Sequence, residues 1–176
     1  MKSSPESGIG IEVNMDAAIE IIRHVGAWMR ETGAGNYSKW WDPNEVDAEK
    51  LLKYVKPDDF YVVLVDGQPA GMAVIQPNQT LQDWSSIDES TPPPKAIYVD
   101  YVAVEREFAG RGLVKVLMGK AEDIARQSGA AVIRLDTNGN EPKLCELYEG
   151  LGFQRVGAYQ EETYLNAFYE KPMAAN

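Results

Sequence analysis

Two glycines with cations beside them form the most informative pattern in the sequence. Gly110 and Gly112 enclose Arg111, and Lys115 follows in the first turn of a predicted helix. Closely spaced glycines let several backbone N–H groups point outward together, and the start of a helix adds unpaired N–H groups and the positive end of its dipole. Arg111 and Lys115 would add formal positive charge. The pattern therefore predicts a binding site for a phosphate group.

Two common phosphate-binding motifs do not fit this loop. No Gly-Lys-Ser/Thr ends it, which excludes a P-loop, and Lys115 stands where the dinucleotide fingerprint requires its third glycine. The local charge favours a compact anion, because the segment 106–120 carries four cations and one carboxylate within a chain of net charge −10. On charge alone, a solvated helix face explains the segment about equally well.

Segments with the two-residue period of a strand or the 3.6-residue period of a helix lie before and after the loop in the sequence. The patterns predict strands over 9–13, 60–65, 70–76, 97–104, 132–135, 153–159 and 164–169, and helices over 16–33, 47–55, 113–129 and 141–150. A hairpin is predicted around Asp66-Gly67, a parallel crossover through the helix that follows the glycine loop, and a long loop over 76–95. These elements predict a single mixed α/β domain over residues 8–176, after a disordered tail over residues 1–7.

The composition excludes several classes of protein. A chain of 176 residues with one cysteine, Cys145, and one histidine, His24, holds neither a disulfide framework nor a multi-cysteine or two-histidine metal site. Its net negative charge argues against nucleic acid as a partner. No apolar run approaches a membrane span, and the N-terminal residues lack the apolar stretch of a signal peptide. We therefore expect a soluble, cytoplasmic protein that does not bind membranes.

Two motifs together resemble those of the GNAT acetyltransferase superfamily. The segment Ala109-Gly110-Arg111-Gly112-Leu113-Val114 is similar to its motif A, Gln/Arg-x-x-Gly-x-Gly/Ala, and Leu147-Tyr148-Glu149-Gly150-Leu151-Gly152-Phe153 is similar to its Leu-Tyr-x-x-x-Gly-Phe. The resemblance covers roughly residues 68–173. It implies an α/β (α+β mixed sheet) N-acyltransferase fold, with a central mixed sheet of about seven strands flanked by about four helices.

The resemblance also implies a cofactor and a mechanism. Acetyl-CoA would be the co-substrate, and an amine would attack its thioester directly. A backbone N–H of the strand 102–104 would stabilise the oxyanion, and Tyr148 would protonate the departing thiolate. The cofactor-binding residues it implies are Val102, Ala103, Val104, Ala109, Gly110, Arg111, Gly112, Leu113, Val114, Lys115 and Asn140.

The sequence departs from the family pattern at three positions. Ala109 replaces a glutamine or arginine, which removes one side-chain contact to phosphate. Val114 replaces glycine or alanine and crowds the closest backbone approach to the cofactor. Glu141 stands where an asparagine is usual, with Asn140 one residue earlier. These departures bear on the affinity for the cofactor and on its identity.

The candidate general base is a carboxylate on the predicted strand 97–104. By the two-residue period of a strand, Tyr98, Asp100, Val102 and Val104 share one face. Asp100 is therefore the best-placed base in the sequence. The alternative is a strand-end carboxylate that lies in solvent or is paired with Lys95.

The acceptor site is predicted from aromatic and acidic residues. Trp40, Trp41 and Tyr98 are the candidate substrate-binding residues, although core packing explains tryptophans of this region about as well. Acidic residues such as Asp83 favour a cationic acceptor. The loop over 80–94 is predicted to close over it.

Three functions remain open at this stage. The first is an N-acetyltransferase that acetylates a primary amine of a small, cationic acceptor. The second is a non-catalytic acyl-CoA-binding regulatory module, and the third is a peptide or protein acetyltransferase. A homodimer is a further expectation, formed by pairing of the strand 164–169 with a second copy.

Overall fold

Seven β-strands form one mixed sheet in the order β1-β2-β3-β4-β5-β7-β6. The computed structural model describes residues 8–34, 39–89 and 92–175, so the predicted tail over residues 1–7 lies outside the described residues. The strands are β1 (Ile9–Val13), β2 (Phe60–Val65), β3 (Gln68–Gln76), β4 (Ala96–Val104), β5 (Val132–Asn138), β6 (Gln154–Gln160) and β7 (Leu165–Pro172). The predicted number of strands is confirmed.

Five α-helices accompany the sheet in the described part of the chain, one more than expected. They are α1 (Met15–Thr32), α2 (Ala48–Leu51), α3 (Ser85–Asp88), α4 (Leu113–Ser128) and α5 (Pro142–Gly150). Short 3-10 turns cover Lys39–Trp41, Pro57–Asp59 and Arg106–Phe108. The extra helix is α3, which lies within the segment predicted to be loop.

The chain divides into two compact units, which are described separately. The first comprises the described residues of Met1–Val74 and Tyr101–Leu117. Its long helix α1 begins where the Asn14 side chain accepts the Ala17 N–H at 3.0 Å, and it ends at Gly33, whose φ of 67° is left-handed. Buried apolar residues at helical spacing, among them Ile22 and Val25, form one face of α1.

The hairpin of the first unit follows from its turn. Asp66 and Gly67 have φ of 50° and 81°, and Val65 pairs directly with Gln68. Two consecutive positive φ values are those of a type I′ turn, whose twist matches that of the two antiparallel strands it joins. The predicted hairpin is confirmed, and β1 pairs antiparallel with the other edge of β2.

The second predicted helix is shorter than expected. The Asp47 side chain caps α2 by accepting the Lys50 N–H at 2.8 Å, but α2 ends at Leu51 rather than at Val55. Pro57 restricts the residue before it to extended backbone, and Lys56 has a ψ of 149°. The chain therefore leaves the helix through turns instead of continuing it to Val55.

The second unit comprises Ile75–Asp100 and the described residues of Met118–Asn176. Strand β5 pairs parallel with β4, from Ala96 opposite Val132, as the helical crossover predicts. Strand β7 pairs antiparallel with both β5 and β6. Since both edges of β7 are occupied, the predicted pairing of this strand with a second copy is wrong. The cause is the return of β7 between β5 and β6.

Candidate active site

The glycine loop of the first unit is open and has left-handed backbone at both glycines. Gly110 and Gly112 have φ of 78° and 74°, a region that residues with a Cβ rarely adopt. A Cβ built on either glycine would meet no atom within 4 Å, and residues 109–112 are exposed. The loop therefore presents its backbone to space that a ligand could occupy.

Helix α4 begins directly after this loop. Leu113, its first residue, is buried and anchors it, while Arg111 and Lys115 are exposed on either side. The Arg111 guanidinium lies 5.1 Å from the centre of the Phe108 ring. Within the described residues no carboxylate forms an ion pair with Arg111 or Lys115. The first N–H groups of the helix and these two cations can therefore bind a phosphate group.

Strand β4 is irregular just before the loop. Tyr101 has a φ of 50°, which interrupts the two-residue alternation of the strand. The common face predicted for Tyr98, Asp100, Val102 and Val104 therefore ends at Asp100. Beyond the irregularity, Ala103 is buried and its two neighbours are partly exposed.

The turn after β4 is attached to helix α1. The Arg106 guanidinium lies 4.0 Å from the centre of the Trp28 ring, a cation–π contact. One residue earlier, Glu105 accepts from the Nδ1 of His24 at 2.7 Å, and its own N–H donates to Ala70 at 2.9 Å. The exposed His24 thus has a structural partner. These contacts fix the entry into the glycine loop.

The two predicted acceptor tryptophans differ in exposure. Trp40 is 50% exposed, whereas Trp41 is partly buried, with its ring edge-on to Tyr101 at 5.3 Å. The Trp41 backbone lies so close to α1 that a Cβ on Gly26 would come within 1.8 Å of its carbonyl oxygen. Trp41 is thus fixed by packing, whereas half of the surface of Trp40 is exposed.

Asp100, the candidate base, lies in the middle of β4 and is the last residue of that strand in the second unit. Its Oδ1 accepts from the Gln82 Nε2 at 2.6 Å. Burial of the carboxyl, together with the negative charge of Asp136, raises the pKa of Asp100 to about 8, although the Gln82 hydrogen bond opposes the rise. Lys95 donates instead to the Ser128 carbonyl, so the alternative pairing of Asp100 with Lys95 is wrong.

Asp136 is a second carboxylate that sequence reasoning missed. It lies on β5, and its Oδ2 accepts from the Asn166 Nδ2 at 2.9 Å. Burial raises the pKa of Asp136 above its usual value, while the Asn166 hydrogen bond opposes the rise. The sequence pattern predicted that β5 ends at Leu135, whereas pairing with β7 extends it to Asn138. A prediction that β5 reaches Asn138 would have placed Asp136 among the candidate site residues.

Tyr148 projects from α5 in the same unit. It is 6% exposed, and its ring is edge-on to Phe153 at 6.0 Å. Burial, with a further contribution from the charge of Asp136, raises the pKa of the Tyr148 hydroxyl. Among the described residues no protein group hydrogen-bonds this hydroxyl. Tyr148 is therefore a protonated phenol that can still donate to a ligand.

Two other predicted site residues have protein partners. The Tyr98 ring is 5% exposed and packs with Trp84, Ala96 and Phe168. The Asn140 side-chain oxygen accepts the Leu165 N–H at 2.7 Å. Core packing thus explains the position of Tyr98, and a turn contact explains that of Asn140.

The lone cysteine is enclosed as expected. Cys145 is 7% exposed, with its Sγ 3.7 Å from the Asn138 carbonyl and 3.3 Å from the Arg155 Nη2. It forms no disulfide within the described chain. Its surroundings are those of a packed thiol, and acetyl transfer does not require it.

The segment predicted to close over the site is fixed in its described part. Asp88, at the end of α3, accepts two hydrogen bonds from Arg134, whose side chain is 2% exposed. Trp84 is fully buried. Residues 90 and 91 of the predicted lid lie outside the described residues. The ion pair of Asp88 and the burial of Trp84 fix the segment 80–89, so these residues form a static part of the fold and not a mobile lid.

The described residues contain neither a cluster of metal-ligating side chains nor a helix that could span a membrane. No group of three His, Cys, Asp or Glu side chains could hold a metal ion within residues 8–34, 39–89 and 92–175. In the same ranges no helix has the length and apolarity that a membrane crossing requires.

Comparison with known proteins gives one family. The sequence pattern of the acetyltransferase (GNAT) family matches residues 26–153. A zebrafish (Danio rerio) N-acetylaspartate synthetase is 27% identical over 112 residues, which are 62% of this chain and 35% of that protein. The chain thus spans about a third of the length of this curated relative.

Solved structures share the fold. A GNAT-family acetyltransferase from Listeria monocytogenes 4b F2365 superposes with a TM-score of 0.67 at 21% identity, over 94% of this chain and 98% of that one. A streptothricin acetyltransferase from Bacillus anthracis, described as putative and solved in complex with acetyl coenzyme A, gives 0.54 at 18% identity over 70% and 68%. At these identities the likeness concerns the fold.

Proposed function

Because the chain belongs to the acetyltransferase (GNAT) family, we propose that it transfers the acetyl group of acetyl-CoA to a primary amine of a small, cationic acceptor. Acetyl-CoA is the co-substrate of this family. The observation that carries the proposal is the open loop at Gly110 and Gly112, with Arg111 and Lys115 free of ion pairs in the described chain.

The loop binds the diphosphate of the donor. Backbone N–H groups of residues 110–115 donate to its oxygens, and the two cations neutralise its charge. Since neither glycine carries a side chain, the diphosphate can approach the backbone itself. The strand 102–104 lies along the pantetheine arm, and one of its N–H groups stabilises the oxyanion.

Two titratable side chains, Tyr148 and Asp100, can donate and accept the protons that direct transfer moves. The amine nitrogen bonds to the thioester carbonyl carbon, and the tetrahedral intermediate then expels the CoA sulfur. Tyr148 donates a proton to that sulfur; its raised pKa keeps it protonated until this step. Asp100 accepts the proton that the acceptor nitrogen must lose before or during attack, directly or through water.

The charge of the second unit supports a cationic acceptor. The pKa of Asp136 is raised in part by Glu161, and that of Tyr164, after burial, by both of these carboxylates. The Tyr159 hydroxyl donates to Glu161 at 2.5 Å. Asp136 and Glu161 thus interact electrostatically in this unit, and a protonated amine would relieve the repulsion between these two carboxylates. In the first unit, Trp40 is 50% exposed, and an aromatic ring can bind a cation.

A screen for release of free CoA thiol tests the proposal. The acceptors are a polyamine, an acidic amino acid and a peptide with a free N-terminus, each with saturating acetyl-CoA. We expect thiol release and an N-acetylated product with the polyamine, and a rate that rises as the pH passes through about 8 and Asp100 ionises.

Other outcomes select the alternatives. Turnover confined to the peptide would identify a peptide acetyltransferase. Binding of acetyl-CoA without turnover of any acceptor would favour the regulatory module.

A further inference from the structure

The amide of Gln82 is held in one orientation by three hydrogen bonds. Its Oε1 accepts from the Trp84 Nε1 at 2.5 Å, and its Nε2 donates to the Val99 carbonyl at 2.9 Å and to the Asp100 Oδ1 at 2.6 Å. Gln82 is 7% exposed, so water does not substitute for these partners. An indole N–H can only donate, which requires the oxygen of the amide to face Trp84. The nitrogen must therefore face Asp100.

Trp84 is itself immobilised. It is fully buried, and its ring is edge-on to Phe168 at 4.9 Å. The Arg134 guanidinium lies 4.3 Å from the ring centre, and the backbone N–H of Trp84 donates to the Gln79 Oε1 at 3.0 Å. The indole N–H therefore stays in one position and holds the Gln82 amide in one orientation.

We propose that Gln82, oriented by Trp84, is a positioning residue for the general base: it directs an N–H to Asp100 so that this carboxylate ionises and keeps one oxygen fixed. The inference rests on the base role of Asp100 in the proposed function. An N–H donor stabilises the charged form of a carboxylate over the neutral form. The charged carboxylate is the form that accepts the proton of the amine.

The donor acts against two opposing influences. Burial and the carboxylate of Asp136, on the neighbouring strand β5, both raise the pKa of Asp100, and the Gln82 hydrogen bond lowers it. Without Gln82, the pKa of Asp100 would be higher, and a smaller fraction of the carboxyl would be ionised at a given pH. The hydrogen bonds that join Trp84, Gln82 and Asp100, called here the relay, therefore set the pH range in which Asp100 can act as a base.

NMR titration of the whole chain tests the relay without any acceptor. The carboxyl carbon of Asp100, assigned by its loss in Asp100→Asn, is followed against pH in the wild type, in Gln82→Met and in Trp84→Phe. Methionine keeps the length of glutamine and removes its donors, and phenylalanine keeps a buried ring and removes the indole N–H. Gln127→Met, on an exposed face of α4, is the matched control.

We expect the pKa of Asp100 to rise by about one pH unit in Gln82→Met, by less in Trp84→Phe, and not at all in Gln127→Met. An unchanged pKa in folded Gln82→Met would overturn the inference. If that variant does not fold, an unchanged pKa in Trp84→Phe has the same meaning.

Kinetics then separate this inference from the proposed function. With an amine that the screen identifies, the acid limb of kcat/KM should move to higher pH in Gln82→Met by the same amount as the NMR titration. A moved titration with an unmoved rate profile would confirm the relay and refute Asp100 as the base.

Discussion

The guanidinium of Arg134 donates two hydrogen bonds to the carboxylate of Asp88, from Nη2 to Oδ1 at 2.7 Å and from Nη1 to Oδ2 at 2.9 Å. Its Nε donates to Glu170 at 2.8 Å, so one buried cation joins α3 to β5 and β7. This two-pronged geometry is specific to arginine, and it fixes the segment that carries Trp84.

Replacing Arg134 with methionine should lower the free energy of unfolding by about 3–5 kcal/mol, because it leaves two carboxylates without their buried counterion. Urea unfolding measures the change. Arg126 is the matched control: it also contacts two carboxylates, Glu122 and Asp123, but its side chain is 51% exposed. Arg126→Met should cost less than about 1 kcal/mol. Equal losses in the two variants would show that burial of the network is not what matters.

Gly112→Ala should weaken acetyl-CoA binding at least about tenfold, since a Cβ there occupies the space that the diphosphate requires. The left-handed φ also costs about 1 kcal/mol of stability. Gly129→Ala introduces the same strain, at a φ of 70° with no atom within 4 Å of its Cβ, in the turn after α4. Calorimetric titration with acetyl-CoA should find its affinity unchanged. The phosphate site would be misplaced if both variants bound equally well.

Tyr148→Phe should lower kcat by about a hundredfold while leaving the unfolding midpoint nearly unchanged. The ring keeps its contact with Phe153, and the lost hydroxyl has no protein partner among the described residues. Thiol release under saturating substrates measures the effect. Tyr54→Phe, at a residue that is 51% exposed, is the control and should retain full activity. Wild-type kcat in Tyr148→Phe would refute the acid role of the phenol.

Asp100→Asn should abolish the pH-dependent activity and stabilise the fold at alkaline pH. The folded-state pKa, about 8, lies above the unfolded value of 3.8, so wild-type stability falls as pH rises between these values. Above pH 8 the variant should be more stable than the wild type, because it no longer buries a charge. Below pH 4 the difference should vanish. Urea unfolding at pH 9 and at pH 4 checks both; a gain that persists at pH 4 would contradict this assignment.

Local signals in the sequence predicted the elements well. The hairpin at Asp66-Gly67 and the glycine loop before α4 depend on a few adjacent residues, and the structure contains both, the loop with left-handed backbone at its two glycines. Two motifs with fixed spacing also identified the family. Such features could be predicted because the backbone conformation they require is determined within a single turn.

Features that depend on distant pairing could not be predicted. Asp136 entered the candidate site because β7 pairs with β5 beyond Leu135, and Arg134 found its partners 46 and 36 residues away at Asp88 and Glu170. A residue pattern within one strand contains no information about either contact. The position of β7 between β5 and β6 is of the same kind.

That position has a consequence for the order of folding. Strand β6 is made before β7, yet among the described strands its only ladder partner is β7. During synthesis β6 therefore stays unpaired until residues 165–172 have left the ribosome, and β5 waits equally long for its antiparallel neighbour. The antiparallel part of the second unit's sheet therefore forms late, when β7 inserts between β5 and β6.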